Sequence, residues 1–186
     1  WILKLDIRKF FESIDHKILF NVITKKIYDR RLLILLREII NSFNPGLPLG
    51  NLTSQLFANV YMDGLDQFIK RELQEKGYVR YADDFVIMCA DKDYLLRCFL
   101  KIKSFLSKEA RLTLHPSKIF LKTYFIGVDF LGYVCFPNFC IVRTKTKRRM
   151  LARINQSNWT AYFGVLVHCR SRELQSFLRE RLALSI

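Results

Sequence analysis

Acidic residues are scarce in this chain: 17 Asp and Glu stand against 31 Lys and Arg in 186 residues, a formal net charge of +14. No apolar run approaches the length of a membrane span and no signal peptide is visible, so no membrane-spanning segment is expected and a membrane is not among the expected partners. No CxxC pair occurs among Cys89, Cys98, Cys135, Cys140 and Cys169. An odd set of that kind reads as small buried hydrophobes in a reducing, cytoplasmic setting. Cys135 and Cys140 flank Pro137 and Asn138 across an expected hairpin, and Cys169 follows His168, which leaves a zinc site as the rival reading. The chain opens on Trp1, already inside an expected strand, and therefore reads as a piece of a longer protein. The shortage of acid is uneven. Residues 1–100 hold 15 basic and 13 acidic side chains, residues 101–186 hold 16 and 4. The back half is thus the half suited to phosphate, although such a balance also fits a membrane surface or simple solubility.

Against that background the acid that is present is conspicuous. Asp83 and Asp84 interrupt Val79–Met88, which otherwise reads as paired strands. Two unpaired carboxylates about 4 Å apart repel by roughly 4 kcal/mol at an effective dielectric near 20, so a site that keeps both ionised supplies a cation. An acidic surface turn is the plain alternative. A third carboxylate, Asp6, lies in Trp1–Ile7, where odd positions are mostly apolar and Lys4 and Asp6 share the other strand face. If that strand lies beside the hairpin, Asp6 and Asp83 converge on one sheet edge as oxygen ligands for divalent ions.

The motifs Asp6 with Phe10 and Phe11, Gly46–Gln55, Tyr81–Asp84, and Phe130–Leu131–Gly132–Tyr133, in this order, resemble those of reverse transcriptases. The resemblance implies an α+β polymerase palm, a split βαβ, ferredoxin-like antiparallel sheet covered by helices on one face, followed by a small helical thumb. Palm over 1–142 and thumb over 143–186 is the expected division, with the family's fingers, which normally precede Asp6, absent. It implies two Mg²⁺ ions, replaceable by Mn²⁺, around Asp6, Ile7, Asp83 and Asp84. Neighbouring strand residues point oppositely, so Asp83 is assigned to both ions and Asp84 to a supporting role. Phe11 would be the aromatic gate beneath the nucleotide sugar, where spacing alone reads it as core; Phe10, pointing the other way on a strand, should be core. Lys118, otherwise an ordinary surface lysine, would approach the leaving pyrophosphate as an acid, and His115 reads as structural. Leu49, Gly50, Gln55 and Tyr81 would line the nucleotide pocket, and Phe130–Tyr133 would grip the primer, Gly132 allowing close backbone approach. The family's usual pattern has Gln at position 49 and Pro at position 55. The form Leu49–Gly50 followed by Ser54–Gln55 is similar to reverse transcriptases of diversity-generating retroelements, which copy with errors at adenines. The implied partners are an RNA template, a DNA primer, deoxynucleoside triphosphates and a basic accessory protein.

Asp15, Asp29 and Asp91 are expected to cap helices, and Asn51 or Thr53 to open another that turns Leu56, Phe57, Val60, Tyr61, Leu65, Phe68, Ile69 and Leu73 inward. A short strand is expected over 112–118 and a hairpin over 125–142. Arg143, Lys145, Lys147, Arg148, Arg149 and Arg153 then enter a helix, with further helices from near Ser157 and Ser171. That basic stretch reads as a thumb holding the template-primer backbone, or as a solvated face. Trp159, Tyr162 and Phe163 read as its core. Three functions compete with the retroelement reading: a group II intron or retron type reverse transcriptase, a non-catalytic basic RNA-binding module, and a nucleotide cyclase, which shares the palm topology but has no use for the basic tail.

Overall fold

The computed structural model describes residues 1–183. They form two compact units that part between Lys122 and Thr123.

In the first unit the opening strand β1 (Ile2–Asp6) is central. Antiparallel partners flank it, β3 (Asp84–Met88) on one side and β4 (Phe120–Lys122) on the other, and β2 (Tyr78–Tyr81) pairs with β3, giving the order β2-β3-β1-β4. Alternation along the strands sends Leu3, Leu5, Phe85 and Ile87 to one buried face. Helices cover them: α2 (His16–Thr24), α3 (Arg30–Asn41), α4 (Leu52–Gln67) and α5 (Lys92–Lys108). Leu19 and Ile23 of α2, Phe57, Tyr61 and Leu65 of α4, and Leu95, Ile102 and Leu106 of α5 share one core with the sheet. Three aspartates start helices as the sequence indicates. Asp15 accepts from Lys17 and Ile18, Asp29 from Leu32, and Asp91 from Asp93 and Tyr94, relieving otherwise unpaired first-turn N–H groups. Asn51 precedes α4 without such a bond.

Local departures from expectation have local causes. Phe10 is buried, but in the one-turn helix α1 (Phe10–Ser13), entered through a left-handed Lys9, and not on a strand. Leu56 is exposed because the buried stripe of α4 runs one position later through Phe57, Tyr61 and Leu65. The expected strand over 112–118 shrinks to a single bridge, Leu114 with Ile7. Pro116, lacking an N–H, opens a 3₁₀ turn to Lys118 instead, and the ladder resumes only at β4.

The second unit starts with a three-stranded antiparallel meander, β5 (Val128–Phe130), β6 (Tyr133–Cys135) and β7 (Cys140–Val142). Three helices follow, α6 (Thr144–Arg153), α7 (Trp159–Leu166) and α8 (Arg172–Ala183). Val142 joins Met150, Leu166 and Leu178 in a separate core. The division therefore falls after Lys122, earlier than the one expected after Val142, because the meander's strands pair only with one another and its last strand feeds the helical core. Tyr162 and Phe163 pack on that core, whereas Trp159 is 43% exposed and meets Phe163 edge-on. Cys135 and Cys140 are directly opposed across β6 and β7 and are joined as a disulfide. This corrects the reading of all five cysteines as free buried thiols: the intervening Phe136–Phe139 turn sets those two in register, leaving Cys89, Cys98 and Cys169 free. No helix of the described residues is long and apolar enough to cross a membrane.

Candidate active site

Asp6 ends β1 and sits directly opposite Asp84, the first residue of β3, in the antiparallel register. Cross-strand partners share a face, so Lys4, Asp6 and Asp84 lie together on the side of the sheet away from Leu3, Leu5 and Phe85. Asp83 occupies the tight turn between β2 and β3, and its carbonyl accepts the Ile7 N–H at 3.2 Å, which ties the turn to the end of β1. The fourth participant comes from the 3₁₀ turn after α5. Lys118 Nζ donates to both carboxylate oxygens of Asp6, at 3.0 and 2.9 Å.

The charges in this cluster act on one another. Burial pushes the Asp83 carboxyl up from the ordinary carboxylate value, and the Asp6 charge adds to it, while its own backbone N–H and Lys118 offset part of the effect. Burial also raises Asp84, against the ammonium of Lys4, which lies 3.0 Å from its Oδ2. The bond to Asp6 holds the Lys118 ammonium above its usual range. Among the described residues no three His, Cys, Asp or Glu side chains are grouped as a ready metal site. Two of the three expected carboxylate ligands, Asp6 and Asp84, are paired with lysines. The physical reason is the repulsion that would otherwise act between adjacent desolvated carboxylates. The donor set nevertheless suits a hard divalent cation. It is all oxygen, and Asp84 Oδ1 is buried without a hydrogen-bond partner.

The sequence-predicted nucleotide-pocket residues differ in their burial. Phe11 is half-buried, packed against the core and edge-on to Phe10 at 5.3 Å. Its carbonyl accepts the Leu47 N–H at 2.8 Å, and Gly46, at φ +65°, is pressed so closely on the Phe11–Glu12 backbone that a Cβ would overlap the Phe11 carbonyl oxygen. His16 Nε2 also meets the Gly46 carbonyl at 2.7 Å. The loop carrying Leu49 and Gly50 is thereby docked under Phe11. Leu49, Gly50, Gln55 and Tyr81 are exposed, with Leu49 at 76% and Tyr81 at 64%.

Within the second unit, Phe130–Tyr133 forms the β5–β6 turn, with Leu131 and Gly132 both at positive φ, the pairing that suits a tight hairpin. Tyr133 Oη donates to the Val165 carbonyl at 2.9 Å. Arg143 is drawn inward to Asp129, both oxygens at 3.2 Å, so it is not simply one of a row of outward cations. Lys145, Lys147, Arg148, Arg149 and Arg153 are exposed along α6.

Sequence reasoning missed two elements of the site. Lys4 was visible as the residue sharing Asp6's strand face, but its partner across the sheet depended on register. Arg80 lay in plain view beside Tyr81, at a strand position half-buried in the structure, yet its partners Asp66 and Asn59 are on α4 and no sequence spacing links them.

A family model described as reverse transcriptase (RNA-dependent DNA polymerase) matches residues 1–135. The chain belongs to the reverse transcriptase family. Among curated relatives, the Retron Ec73 reverse transcriptase of Escherichia coli is 28% identical over 135 residues, covering 64% of this chain and 43% of that protein. An uncharacterized 91 kDa protein in cob intron of Schizosaccharomyces pombe is 32% identical over 88 residues, covering 42% of this chain and 11% of that protein. The chain thus spans less than half the length of either. The solved telomerase of Candida albicans, in complex with a fragment of telomeric RNA, superposes with a TM-score of 0.57 at 14% identity, over 72% of this chain and 29% of that one. That likeness speaks to the fold, a mixed helical and antiparallel-sheet polymerase palm.

Proposed function

We propose that this chain carries the palm, and in its second unit the thumb, of an enzyme that copies RNA into DNA by transferring deoxynucleotidyl units to a primer 3′-hydroxyl. The observation that carries the reading is the meeting of Asp6 and Asp83 at one sheet edge with Lys118 bonded to Asp6. Asp6 and Asp83 would hold two divalent ions, Mg²⁺ with Mn²⁺ able to substitute, together with the Ile7 backbone, and Asp84, engaged by Lys4, would play the lesser part. When bound, such ions lower the pKa of the primer hydroxyl and offset charge on the departing pyrophosphate.

The chain's own groups do the rest. Lys118, an ammonium held at the Asp6 carboxylate, is placed to move to the leaving pyrophosphate and protonate it once Asp6 is otherwise engaged. Phe11, fixed by the docked Gly46–Leu47 backbone, presents a rigid ring that clashes with a ribose 2′-hydroxyl and so selects deoxynucleotides. Gly50, Gln55 and Tyr81 contact the nucleotide and template. Phe130–Tyr133 meets the primer end, and the α6 cations meet phosphates.

Two readings of the retroelement class have support. Leu49 in place of a hydrogen-bonding side chain, with Gln55, favours an error-prone diversity-generating element acting with a basic accessory protein. The relatives favour a retron or group II intron type. Sequencing the products for errors opposite template adenines separates them.

The enzyme reading is tested by Asp83→Ala. Mg²⁺-dependent extension of a DNA primer on RNA is expected to fall below detection while nucleic-acid binding persists. An unchanged extension rate would favour a non-catalytic RNA-binding module, and a cyclic product from labelled dATP would favour a cyclase.

A further inference from the structure

The side chain that ties the catalytic turn to the helical layer is Arg80, and no part of the proposed chemistry uses it. On β2 the residues alternate, so Tyr78 and Arg80 face α4 while Val79 and Tyr81 point away. Arg80 forms a two-pronged pair with Asp66 of α4, Nε to Oδ1 at 2.8 Å and Nη2 to Oδ2 at 2.6 Å. Tyr78 Oη donates to the same Oδ1 at 2.7 Å, so Asp66 is held from two strand positions. The third nitrogen, Nη1, reaches both Asn59 Oδ1, two helical turns earlier on α4, at 3.1 Å and the carbonyl of Ala82 at 3.0 Å.

An ion pair joining β2 to α4 needs only the prongs on Asp66. The Nη1 bond to Ala82 serves something else. Ala82 stands at φ 52°, a left-handed conformation that a residue with a Cβ rarely adopts unless its surroundings impose it. The next residue is Asp83, whose carbonyl receives the Ile7 N–H beside Asp6. A continuous run of bonds therefore leads from α4 through one guanidinium to the Ala82 carbonyl of the turn, and the turn's Asp83 carbonyl is bonded to the Ile7 N–H, next in sequence to Asp6. Only a planar group with donors on several sides satisfies Asp66, Asn59 and Ala82 at once; an ammonium on a flexible stem does not.

We infer that Arg80 is a positioning residue, which clamps the left-handed Ala82 turn to α4 and so fixes Asp83 against the end of β1. This rests on the proposed polymerase reading for its catalytic consequence, but its structural content stands apart from that reading.

Arg80→Lys keeps a positive charge beside Asp66 and loses the reach to Ala82 and Asn59. Its expected signature is an Ile7 amide that exchanges with solvent about ten-fold faster. Primer extension should show kcat lower by about ten- to a hundred-fold with the nucleotide KM within about two-fold, since displacement of a reacting constellation by 1 Å acts on rate. Asn59→Ala, a change at an exposed helix position that does not threaten folding, should move both readouts in the same direction and less. Unchanged Ile7 exchange in both variants overturns the inference, as does a loss of activity carried wholly by KM. Should Asp83→Ala leave extension intact, the polymerase reading fails by itself, and Ile7 exchange still decides the role of Arg80.

Discussion

The two units carry the same net charge, but the ion pairs are concentrated in the first. Residues 1–122 hold 21 basic and 14 acidic side chains, and residues 123–186, about half as many, hold 10 and 3, so each unit is at +7. In the first unit cations are turned onto carboxylates at defined places: Lys4 on Asp84, Lys118 on Asp6, Arg80 on Asp66 and Arg111 on Asp15. In the second, Arg143 meets Asp129 and five further cations lie exposed along α6. Charge that is paired and half-buried fixes geometry; charge left outward contributes a field that attracts phosphate from a distance. Under the proposed function, precision belongs to the sheet edge and affinity for nucleic acid to the helix.

The sharpest way to break this contrast is Lys4→Met. Removal of the ammonium leaves the Asp84 carboxylate half-buried with neither oxygen compensated, and unfolding stability measured in urea should fall by about 1–3 kcal/mol. Because the damage is an uncompensated charge, adding Asp84→Asn to Lys4→Met should recover most of the loss. Absence of that recovery would mean that Lys4 acts through its packing and that the sheet edge is not organised by charge. Next in size is the removal of two α6 cations. Arg148→Ala with Arg149→Ala should weaken binding to an RNA–DNA duplex by about ten-fold at moderate salt and lower the slope of log affinity against log salt by about 2, one for each lost phosphate contact. Stability should not move. A drop in stability in place of the altered slope would make the second unit's charge structural too.

How far these features could be read in advance follows the range of the interactions. Helix starts at Asp15, Asp29 and Asp91 are local, with the capping oxygen and the N–H it serves two or three residues apart, and they were legible. The alternation along β1 and the strand-turn-strand pattern were legible as well, but that the two lie side by side was implied by the resemblance to reverse transcriptases and not by the pattern itself. Where the fourth strand falls was not legible: Pro116 moved it past Lys118, and only the bridge of Leu114 to Ile7 records the earlier possibility. Nor was the neutralisation of the site, since Lys118 reaches Asp6 across 112 residues and Arg80 reaches Asp66 across 14 with no shared periodicity. The division of the units is not legible in the sequence for a related reason. A hairpin motif looks the same in sequence whichever core its last residue joins, and Val142 joins Met150, Leu166 and Leu178.

The smallest expected effect tests whether paired charge in the first unit fixes geometry away from the site as well. Asp15 accepts from the N–H groups of Lys17 and Ile18 at 2.8 and 3.1 Å and from Arg111 Nη1 at 2.7 Å. Burial by itself would raise its carboxyl, but these donors outweigh burial and hold it below the ordinary value of 3.8. A depressed acid contributes stability that is complete above the unfolded value and is lost as pH falls through the folded one. Asp15→Ala removes both cap and charge and should cost about 1 kcal/mol at neutral pH. Asp15→Asn keeps a capping oxygen and should cost less. Its deficit against the parent chain, followed by urea unfolding, should be constant from neutral pH down to about 5 and close on further acidification, as the parent's carboxylate takes up its proton. A deficit independent of pH would assign Asp15 the role of a neutral cap, with Arg111 contributing nothing, and the first unit's ion pairs would then organise the sheet edge alone.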